Sequence, residues 1–377
     1  MIGAGMLGLP LVTGIAGFFP GMLSTLIVWF FMYCTGLLFL EVTLWMPEGS
    51  NLLSISEKFF GKKGRLLSGG MFVLLYYCLM IAYLAAGAPL FAEALGISPT
   101  SWSNFILFST IFAVIVAIGP KLIDRTNVIL SVSMIITWCL FIGRGGDQVQ
   151  ITFLKYTKWS SMIFAMPILC GAFGFHNIIP SLCTYLKRDR YTLYLALFWG
   201  SVIPLIIYWV WQWLIIGTVP QEILAQTLED GSSVVFALHA ATGKNHFVLI
   251  GKFFAFFAIV TSMLGVSFSI VDFLGDGFKV ACRIGWKRIG LTILTFAPPL
   301  ILTQLNPNIF ITILGVAGGF GETFLNGLLP IGLLWKGKYR WKLTTHLSWL
   351  TNRGVLALLL IYTCFVIVLE ICHLLDI

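Results

Sequence analysis

Charged side chains are scarce in this sequence of 377 residues, because lysine, arginine, aspartate and glutamate together make up only 10%. Ordinary soluble domains contain about 25%. Hydrophobic residues make up 59%, and the mean hydropathy is +0.96. A water-soluble fold of this size could not bury so many apolar side chains. The composition therefore excludes a soluble enzyme, a disordered chain and a secreted disulfide-rich scaffold.

The chain also lacks the motifs of intramembrane enzymes. No histidine is followed by glutamate, so the HExxH zinc motif is absent, and the stretch FLGD at 273–276 lacks the first glycine of a GxGD motif. None of the eight cysteines has the CxxC spacing of redox or metal sites. We therefore expect no enzyme activity, no resident metal or organic cofactor, and cysteines that act as small buried apolar residues.

Long apolar runs dominate the sequence instead. A helix needs about 20 apolar residues to cross the hydrocarbon core of a bilayer. Outer-membrane barrel strands are excluded, because they have about ten residues of alternating polarity. We predict an all-α integral membrane protein with about 11 transmembrane helices. The candidate spans are roughly 1–18, 21–45, 66–94, 103–119, 127–143, 161–184, 191–217, 247–275, 289–304, 308–335 and 355–375.

The basic residues predict the orientation of these spans. If the first span runs from the cytoplasm outward, the cytoplasmic loops carry 18 lysines and arginines and the outer loops carry five. Cytoplasmic loops are normally the basic ones. We therefore predict a cytoplasmic N-terminus and an outside C-terminus in a bacterial cytoplasmic membrane. The net charge of +8 belongs to these loops, so we expect no nucleic acid partner, and we infer no obligate protein partner.

Glycine and proline clusters interrupt two of the spans. The first span contains GAGMLGLP at 3–10, and the sixth contains CGAFGFHNIIPSL at 170–182. Unwound backbone is tolerated in a membrane only where it is buried in protein or lines a cavity. The clusters lie five spans apart, an odd number, so the second set of five helices is inverted relative to the first. Tight packing of helices at small residues is the alternative interpretation.

Five stretches of the sequence resemble the hydroxy/aromatic amino acid permease family, within the amino acid–polyamine–organocation superfamily. They are IGAGMLGLP (2–10), FLEV (39–42), FGFHNIIPS (173–181), TSMLGVSFSIVDFLGD (261–276) and FAPPL (296–300). The resemblance implies a LeuT-type 5+5 inverted repeat with discontinuous first and sixth helices. It also implies a secondary active transporter that imports an aromatic amino acid, with tyrosine first, by proton or sodium symport and alternating access. A serine/threonine permease of the same fold is the alternative.

The resemblance also divides the chain. Residues 1–143 would form the first repeat, 144–160 an outer loop, 161–335 the inverted second repeat, and 336–377 an inner loop and the final helix. Family members carry further apolar residues before the first motif, so the first helix is expected to be truncated at its start. The lysine of proton-coupled relatives falls on Met134 in this sequence, so its role cannot be transferred.

The two helix breaks supply the predicted substrate site. Backbone amides of 3–7 would bind the substrate carboxylate, because glycine permits close approach to the backbone. Phe173 and Phe175 would stack on the substrate ring, and His176 would donate to a tyrosine hydroxyl or take up a proton. A lipid-facing or core position is the alternative for the two phenylalanines, and hydrogen bonds to nearby carbonyls at the helix break are the alternative for His176. The full predicted set is Gly3, Ala4, Gly5, Met6, Leu7, Tyr77, Phe173, Gly174, Phe175 and His176, in which Tyr77 matches a family tyrosine and is preferred to Tyr76 and Tyr83.

Two smaller groups complete the predictions. The candidate ion-coupling residues are Ile2, Ala258, Thr261 and Ser262, because Ala-x-x-Thr-Ser resembles the sodium site of sodium-coupled relatives. Hydroxyls bonded to their own helix are the alternative. The candidate gating residues are the acids Glu41, Asp272 and Glu322, expected to pair with cytoplasmic lysines or arginines, with direct coupling as the alternative. The expected partners are an amino acid, the bilayer, and H+ or Na+ as the coupling ion.

Overall fold

A computed structural model describes residues 2–98, 101–243, 245–280, 284–306 and 308–375, and these contain helices and loops without β-strands. The first half contains α1 (Ala4–Gly14), α2 (Phe18–Leu44), α3 (Leu52–Leu95), α4 (Trp102–Ile118), α5 (Pro120–Gly145), α6 (Ile151–Leu154), α7 (Met166–Ala172) and α8 (Ile179–Tyr185). The second half contains α9 (Arg190–Thr218), α10 (Gln221–Glu229), α11 (Val234–Thr242), α12 (Asn245–Gly277), α13 (Trp286–Leu305), α14 (Phe310–Val316), α15 (Leu329–Trp335) and α16 (Arg353–Leu374).

The all-α membrane architecture is confirmed. In the part of the chain that the structure describes, nine helical stretches are long and apolar enough to cross a membrane. The first and fourth predicted spans are helices of only 11 and 17 residues, so the count of eleven stays a prediction. The nine stretches are Phe18–Leu44, Leu52–Leu95, Pro120–Gln148, Trp159–Tyr185, Arg190–Thr218, His246–Gly277, Trp286–Leu305, Phe310–Arg340 and Arg353–Leu374.

The short helix α1 lies at the centre of the molecule. It contacts α2, α7, α9 and α12, and Met6, Leu7 and Leu9 on it are completely buried. The long helices α3 and α12 pack against each other beside it. In contrast, α5 and α16 expose most of their apolar side chains, which a lipid-facing helix can do without cost. The centre of the bundle is therefore formed by short helices held between long ones.

Loop contacts sort the connections into two ends of the bundle. At one end, here called the outer end, Lys158 N donates to the Ala16 carbonyl at 2.7 Å. At the other, the inner end, Trp45 Nε1 donates to the Thr344 carbonyl at 2.8 Å. Further pairs at the outer end are Gln150–Gly217 and Gln221–Gly14, and a further pair at the inner end is Lys336–Phe59. In the numbering of the eleven predicted spans, the connections after the first, fifth and seventh thus meet at one end and those after the second and tenth at the other, as alternating crossings require.

Arg188 ties the inner ends of two helices together. The last carbonyls of a helix have no partner within it, and here one guanidinium nitrogen of Arg188 lies within hydrogen-bond distance of two carbonyls at the end of α2 and one just after it. The acceptors are the carbonyls of Thr43 at 3.2 Å, Leu44 at 2.9 Å and Met46 at 2.9 Å. The positive charge also suits the negative end of the α2 dipole. The loop between α8 and α9 is thereby fixed to α2.

Removal of this guanidinium should destabilise the inner end. Arg188→Ala is expected to lower the free energy of unfolding by about 2 kcal/mol, since hydrogen bonds from a charged donor contribute about 1.5–3 kcal/mol. The measurement is the melting temperature of the purified protein in detergent. Lys187→Ala is the matched control, because Lys187 is an exposed neighbour with a similar left-handed backbone. Equal melting temperatures for Arg188→Ala and Lys187→Ala would contradict the capping role.

Candidate functional site

The start of α1, which is called the first break below because the sequence predicts a discontinuity there, places backbone amides beside an internal cavity. Gly3 precedes α1 with an extended backbone and no side-chain cap, so the first amides of α1 have no side chain to bind them. Gly3 and Gly5 both line the cavity. The N-terminus of a helix carries a partial positive charge and readily accepts a carboxylate or phosphate. The start of α1 therefore has the geometry of an anion site.

The second break lies directly against the first. Helix α7 ends at Ala172, the chain is irregular over 173–175, and a short 3₁₀ turn leads into α8. A Cβ on Gly5 would approach the Ala172 Cα to 3.2 Å, a tight contact, so the lack of a side chain at Gly5 lets the backbones of α1 and α7 come this close. Pro180 lies at the start of α8, where its missing N–H costs no helical hydrogen bond. Gly5 and Pro180 thus allow the two breaks to lie next to each other.

A cavity of about 360 Å³ lies at these breaks. This volume is within the range of small-molecule sites, about 300–1,000 Å³. The walls come from α1, α3, α7, α12 and the segment after α14, and they are mostly apolar. The lining residues used below are Gly3, Gly5, Phe72, Tyr76, Tyr83, Gly174, Asn177, Ser262, Gly265, Glu322 and Asn326. An apolar chamber with a few convergent polar groups is typical of a binding site.

Polar side chains converge at one wall of this cavity. Glu322 lies in a π-helical segment, Ala317–Leu328, and accepts a hydrogen bond from the Asn326 amide one turn later. Asn177, just after the second break, donates to the Tyr76 hydroxyl at 2.6 Å. A Cβ on Gly174 would collide with the Glu322 carboxylate. The carboxylate therefore lies directly against the unwound backbone of the second break.

The candidate cation residues meet at the other break. The Ser262 hydroxyl donates to the Ile2 carbonyl at 3.4 Å, and Gly3 lies against the same serine. The Thr261 hydroxyl donates to the carbonyls of Phe257 at 2.9 Å and Ala258 at 3.1 Å, both on its own helix. The structure thus brings Ile2, Ala258 and Ser262 together, and it shows the own-helix bonding of Thr261 that was the alternative.

Comparison with known proteins identifies the family. The model of the tryptophan/tyrosine permease family matches residues 1–370. The chain belongs to the tryptophan/tyrosine permease family. The tyrosine-specific transport system 1 of Haemophilus influenzae is 31% identical over 343 residues, which cover 90% of this chain and 86% of that protein. A tryptophan-specific transport protein of the same organism is 31% identical over 336 residues, covering 84% of this chain and 80% of that protein.

Membership in the family establishes the broad function. A tryptophan-specific transport protein of Pseudomonas aeruginosa is a further relative, 29% identical over 333 residues, covering 84% of this chain and 79% of that protein. As a permease of this family with several apolar helices, the chain is a multi-pass protein of the bacterial inner membrane. Its substrate is an amino acid, a small molecule. The chain is a transporter, so the expectation that it is not an enzyme is confirmed.

Several predicted substrate residues lie outside the cavity of the permease. Phe173 is completely buried and its ring contacts Tyr208, with ring centroids 5.1 Å apart. Phe175 presses against Gly36 of α2. His176 is also turned towards α2, where its Nε2 lies 3.0 Å from the Thr35 hydroxyl. These three side chains pack against neighbouring helices, and their predicted roles in substrate binding stay predictions.

Four further predicted residues have structural surroundings of their own. The Tyr77 hydroxyl donates to the Leu294 carbonyl of α13 at 2.8 Å, so this side chain points away from the cavity. The buried Met6 offers its carbonyl to Trp211 Nε1 at 2.9 Å, and Leu7 is also completely buried. Ala4 begins α1, and its side chain lies outside the described part of the structure.

The three gating candidates lie in different places. Glu41 is buried at the inner end, where it accepts hydrogen bonds from the Tyr194 hydroxyl and the His346 amide, both at 3.1 Å. It therefore fastens α9 and the loop after α15 to α2, and it forms no ion pair with any lysine or arginine that the structure describes. Asp272 is half-buried near the inner end of α12, and Glu322 lines the cavity itself.

Sequence analysis did not select five polar residues that line the cavity, among them Tyr83 and Ser269. Tyr76 was ranked below its neighbour Tyr77, and Asn177 and Asn326 were not selected at all. Asn326 did carry a signal, because it follows the intramembrane acid Glu322 by four residues, and such pairs share a helix face. A polar pair on one face of an apolar span indicates a functional surface.

Proposed function

We propose that this permease imports tyrosine by cation symport, with alternating access in a LeuT-type fold of eleven helices. The observation that carries the proposal is the cavity between the two helix breaks, with the start of α1 at one side and an apolar, aromatic wall at the other. In inverted-repeat transporters the substrate binds near the bilayer midplane at such discontinuous helices. Here both breaks contribute to a single cavity.

The lining supports an aromatic substrate. The rings of Phe72 and Tyr76 are stacked with centroids 4.0 Å apart, and Tyr83 lies one to two turns further along the same face of α3. A substrate ring could extend this stack, which contributes about 0.5–1.5 kcal/mol per pair beyond area burial. Relatives named for tyrosine and tryptophan point the same way. The hydroxy amino acid alternative is therefore not favoured.

The zwitterionic end of tyrosine would bind at the first break. Its carboxylate would accept hydrogen bonds from the amides at the start of α1, beside Gly3 and Gly5. The coupling cation, a proton or sodium, is also proposed. Sodium would use the carbonyls of Ile2 and Ala258 and the hydroxyls of Thr261 and Ser262, since hard cations prefer oxygen ligands.

The motion would be a rearrangement of the short central helices against their long neighbours. Helix α7 ends at a break and α1 and α8 begin at one, while α3 and α12 run past them without such breaks near the cavity. Alternating access in these folds is largely a rigid-body movement of one group of helices around a fixed site. Helices α10 and α11, which contact the outer part of α1, would act as an outer lid in that movement.

Labelled tyrosine uptake into proteoliposomes tests the proposal. Proton and sodium gradients are imposed separately, and serine, tryptophan and phenylalanine are added as competitors. We expect accumulation driven by one gradient, inhibition by tryptophan and little inhibition by serine. Accumulation of serine in place of tyrosine would overturn the aromatic assignment. Equilibration without accumulation under every gradient would overturn symport.

Orientation is testable by cysteine labelling in cells. Glu229 and Lys62 are exposed, at the end of α10 and within the inner part of α3 respectively. We expect Glu229→Cys to react with a membrane-impermeant maleimide in intact cells, and Lys62→Cys to react only after permeabilisation. The background for both is the protein with its eight native cysteines replaced by serine or alanine. The reverse labelling pattern would contradict a cytoplasmic N-terminus.

A further inference from the structure

We propose that Glu322 is the carboxylate that binds the coupling proton on the outer side and releases it on the inner side. This inference rests on the proposed symport function and specifies its coupling ion. The side chain is 7% exposed and lines the transport cavity. Among the described residues of that lining it is the only one with an acidic or basic side chain.

A buried carboxylate at this depth needs a positive partner. Intramembrane acids are costly and are usually paired or part of a proton or ion pathway. No described lysine, arginine or histidine forms an ion pair with Glu322. The side-chain donor to its carboxylate is the neutral Asn326 amide, whereas two carboxylate oxygens offer about four acceptor positions. A proton taken from water in the cavity would remove the charge directly.

The backbone around Glu322 places it where protonation can change the helix break. The segment Ala317–Leu328 is π-helical, and π-helical turns occur frequently at functional sites. Its carboxylate touches Gly174 in the irregular turn that separates α7 from α8. A neutral acid donates one hydrogen bond where an ionised one only accepts. Proton binding therefore alters the contacts of the turn that the proposed alternating-access movement must rearrange.

Other titratable groups near Glu322 are less suited to the task. Tyr76 and Tyr83 face it from α3, and Cys170 faces it from α7. Phenols and thiols ordinarily titrate well above neutral pH, so they remain protonated through a transport cycle. From α16, Tyr362 lies near Cys170, and Glu370 lies against Gly315 and Gly319.

The two remaining titratable groups, Glu41 on α2 and His176 beside it, make their contacts away from Glu322. Glu41 accepts hydrogen bonds from Tyr194 and His346 at the inner end. His176 lies beside Thr35 on the α2 side of the second break, outside the cavity lining. Neither is therefore in a position to exchange protons with water in the cavity.

The proton balance of the cycle is simple. An outer water gives a proton to a Glu322 carboxylate oxygen, and the neutral acid then accompanies one tyrosine zwitterion. After the cavity opens inward, the same O–H bond breaks, water on the inner side takes the proton, and the tyrosine leaves. One positive charge enters per tyrosine, so a negative inside potential should also drive accumulation.

The experiment compares wild type with Glu322→Gln and Glu370→Gln in proteoliposomes. Glutamine keeps the size of the side chain and cannot release a proton. Glu370 is the matched control, because it is also buried in the membrane part, at 2% exposure, and lies outside the cavity lining. The readouts are tyrosine accumulation under a pH gradient, acidification of the lumen reported by an internal dye, and tyrosine exchange at equal pH.

We expect Glu322→Gln to lose accumulation at least tenfold and to lose tyrosine-dependent acidification, while exchange stays within about threefold of wild type. Glu370→Gln should retain all three activities. Tyrosine-dependent acidification that persists in Glu322→Gln would overturn the proposal. Loss of exchange and of tyrosine binding together in a folded variant would also overturn it, since Glu322 would then bind the substrate itself.

Two outcomes in the wild type separate this inference from the proposed function. Accumulation driven by sodium without proton movement would overturn the role of Glu322 and leave tyrosine symport intact. No tyrosine transport under any condition would overturn the proposed function first. If Glu322→Gln does not fold, Glu322→Asp and wild type treated with a hydrophobic carbodiimide replace it. We then expect a mass-spectrometric adduct at Glu322 that parallels loss of proton movement, and proton movement despite full modification would contradict the proposal.

Discussion

Replacement of Gly174 by alanine is expected to reduce the initial rate of tyrosine uptake about 100-fold, as small misplacements at a site can do. An added Cβ would occupy the position of the Glu322 carboxylate. That carboxylate is the end of a flexible side chain, so the protein can fold by moving it aside. The displaced Glu322 would then lose its position at the second break. The measurement is uptake per folded transporter in proteoliposomes.

Gly265→Ala is the matched control for this prediction. Gly265 lines the same cavity from α12, but a Cβ added there meets no atom within 4 Å. We expect uptake within about twofold of wild type. A substitution whose added atoms meet no other part of the protein usually changes stability by less than about 0.5 kcal/mol. If Gly174→Ala transports tyrosine as well as Gly265→Ala does, the contact between Glu322 and the break has no role in transport.

Truncation of Phe173 should unfold or severely destabilise the permease. Phe173 is completely buried against Tyr208, and the Tyr208 hydroxyl donates to the Ala172 carbonyl at 2.9 Å. Phe173→Ala would leave a cavity at this contact, and such changes cost about 3–5 kcal/mol. We expect a marked fall in melting temperature and in yield. Phe173→Leu should restore folding and leave the KM for tyrosine close to that of wild type.

Phe72→Ala is the contrasting variant. Phe72 is half-buried, lines the cavity, and stacks on Tyr76. Its truncation should raise the KM for tyrosine about tenfold, because lost aromatic stacking contributes about 0.5–1.5 kcal/mol, and should lower the melting temperature far less than Phe173→Ala. A raised KM in Phe173→Leu together with an unchanged KM in Phe72→Ala would show that substrate stacks on Phe173, as the sequence first indicated.

The positions of the helices could be predicted because hydropathy along the chain is a local property. Apolar runs end where Gly, Pro and charged residues begin, so the helices lie close to the predicted spans. The break between α7 and α8 could also be located, since the cluster around Gly174 cannot continue an ordinary membrane helix without cost. The cluster around Gly5 lies inside the continuous helix α1, so a break within the first helix stays a prediction. The length of α1 differs from the prediction, because its helix begins only at Ala4 and ends at Gly14.

The directions of individual side chains could not be predicted in the same way. Successive residues on a helix point about 100° apart, and this difference sends Tyr76 into the cavity and Tyr77 towards α13. Within an irregular turn no period applies, so Phe173 and His176 could not be placed from the sequence. The contact between Glu322 and the second break joins segments about 150 residues apart, and it follows only from tertiary packing.

A cryo-EM structure of the permease in lipid nanodiscs with saturating tyrosine tests the central claim most directly. The account predicts density for tyrosine in the cavity between the breaks, with its carboxylate at the amides that begin α1 and its ring beside Phe72 and Tyr76. Tyrosine bound at a different place, with this cavity empty, would contradict the account even if the protein transports tyrosine.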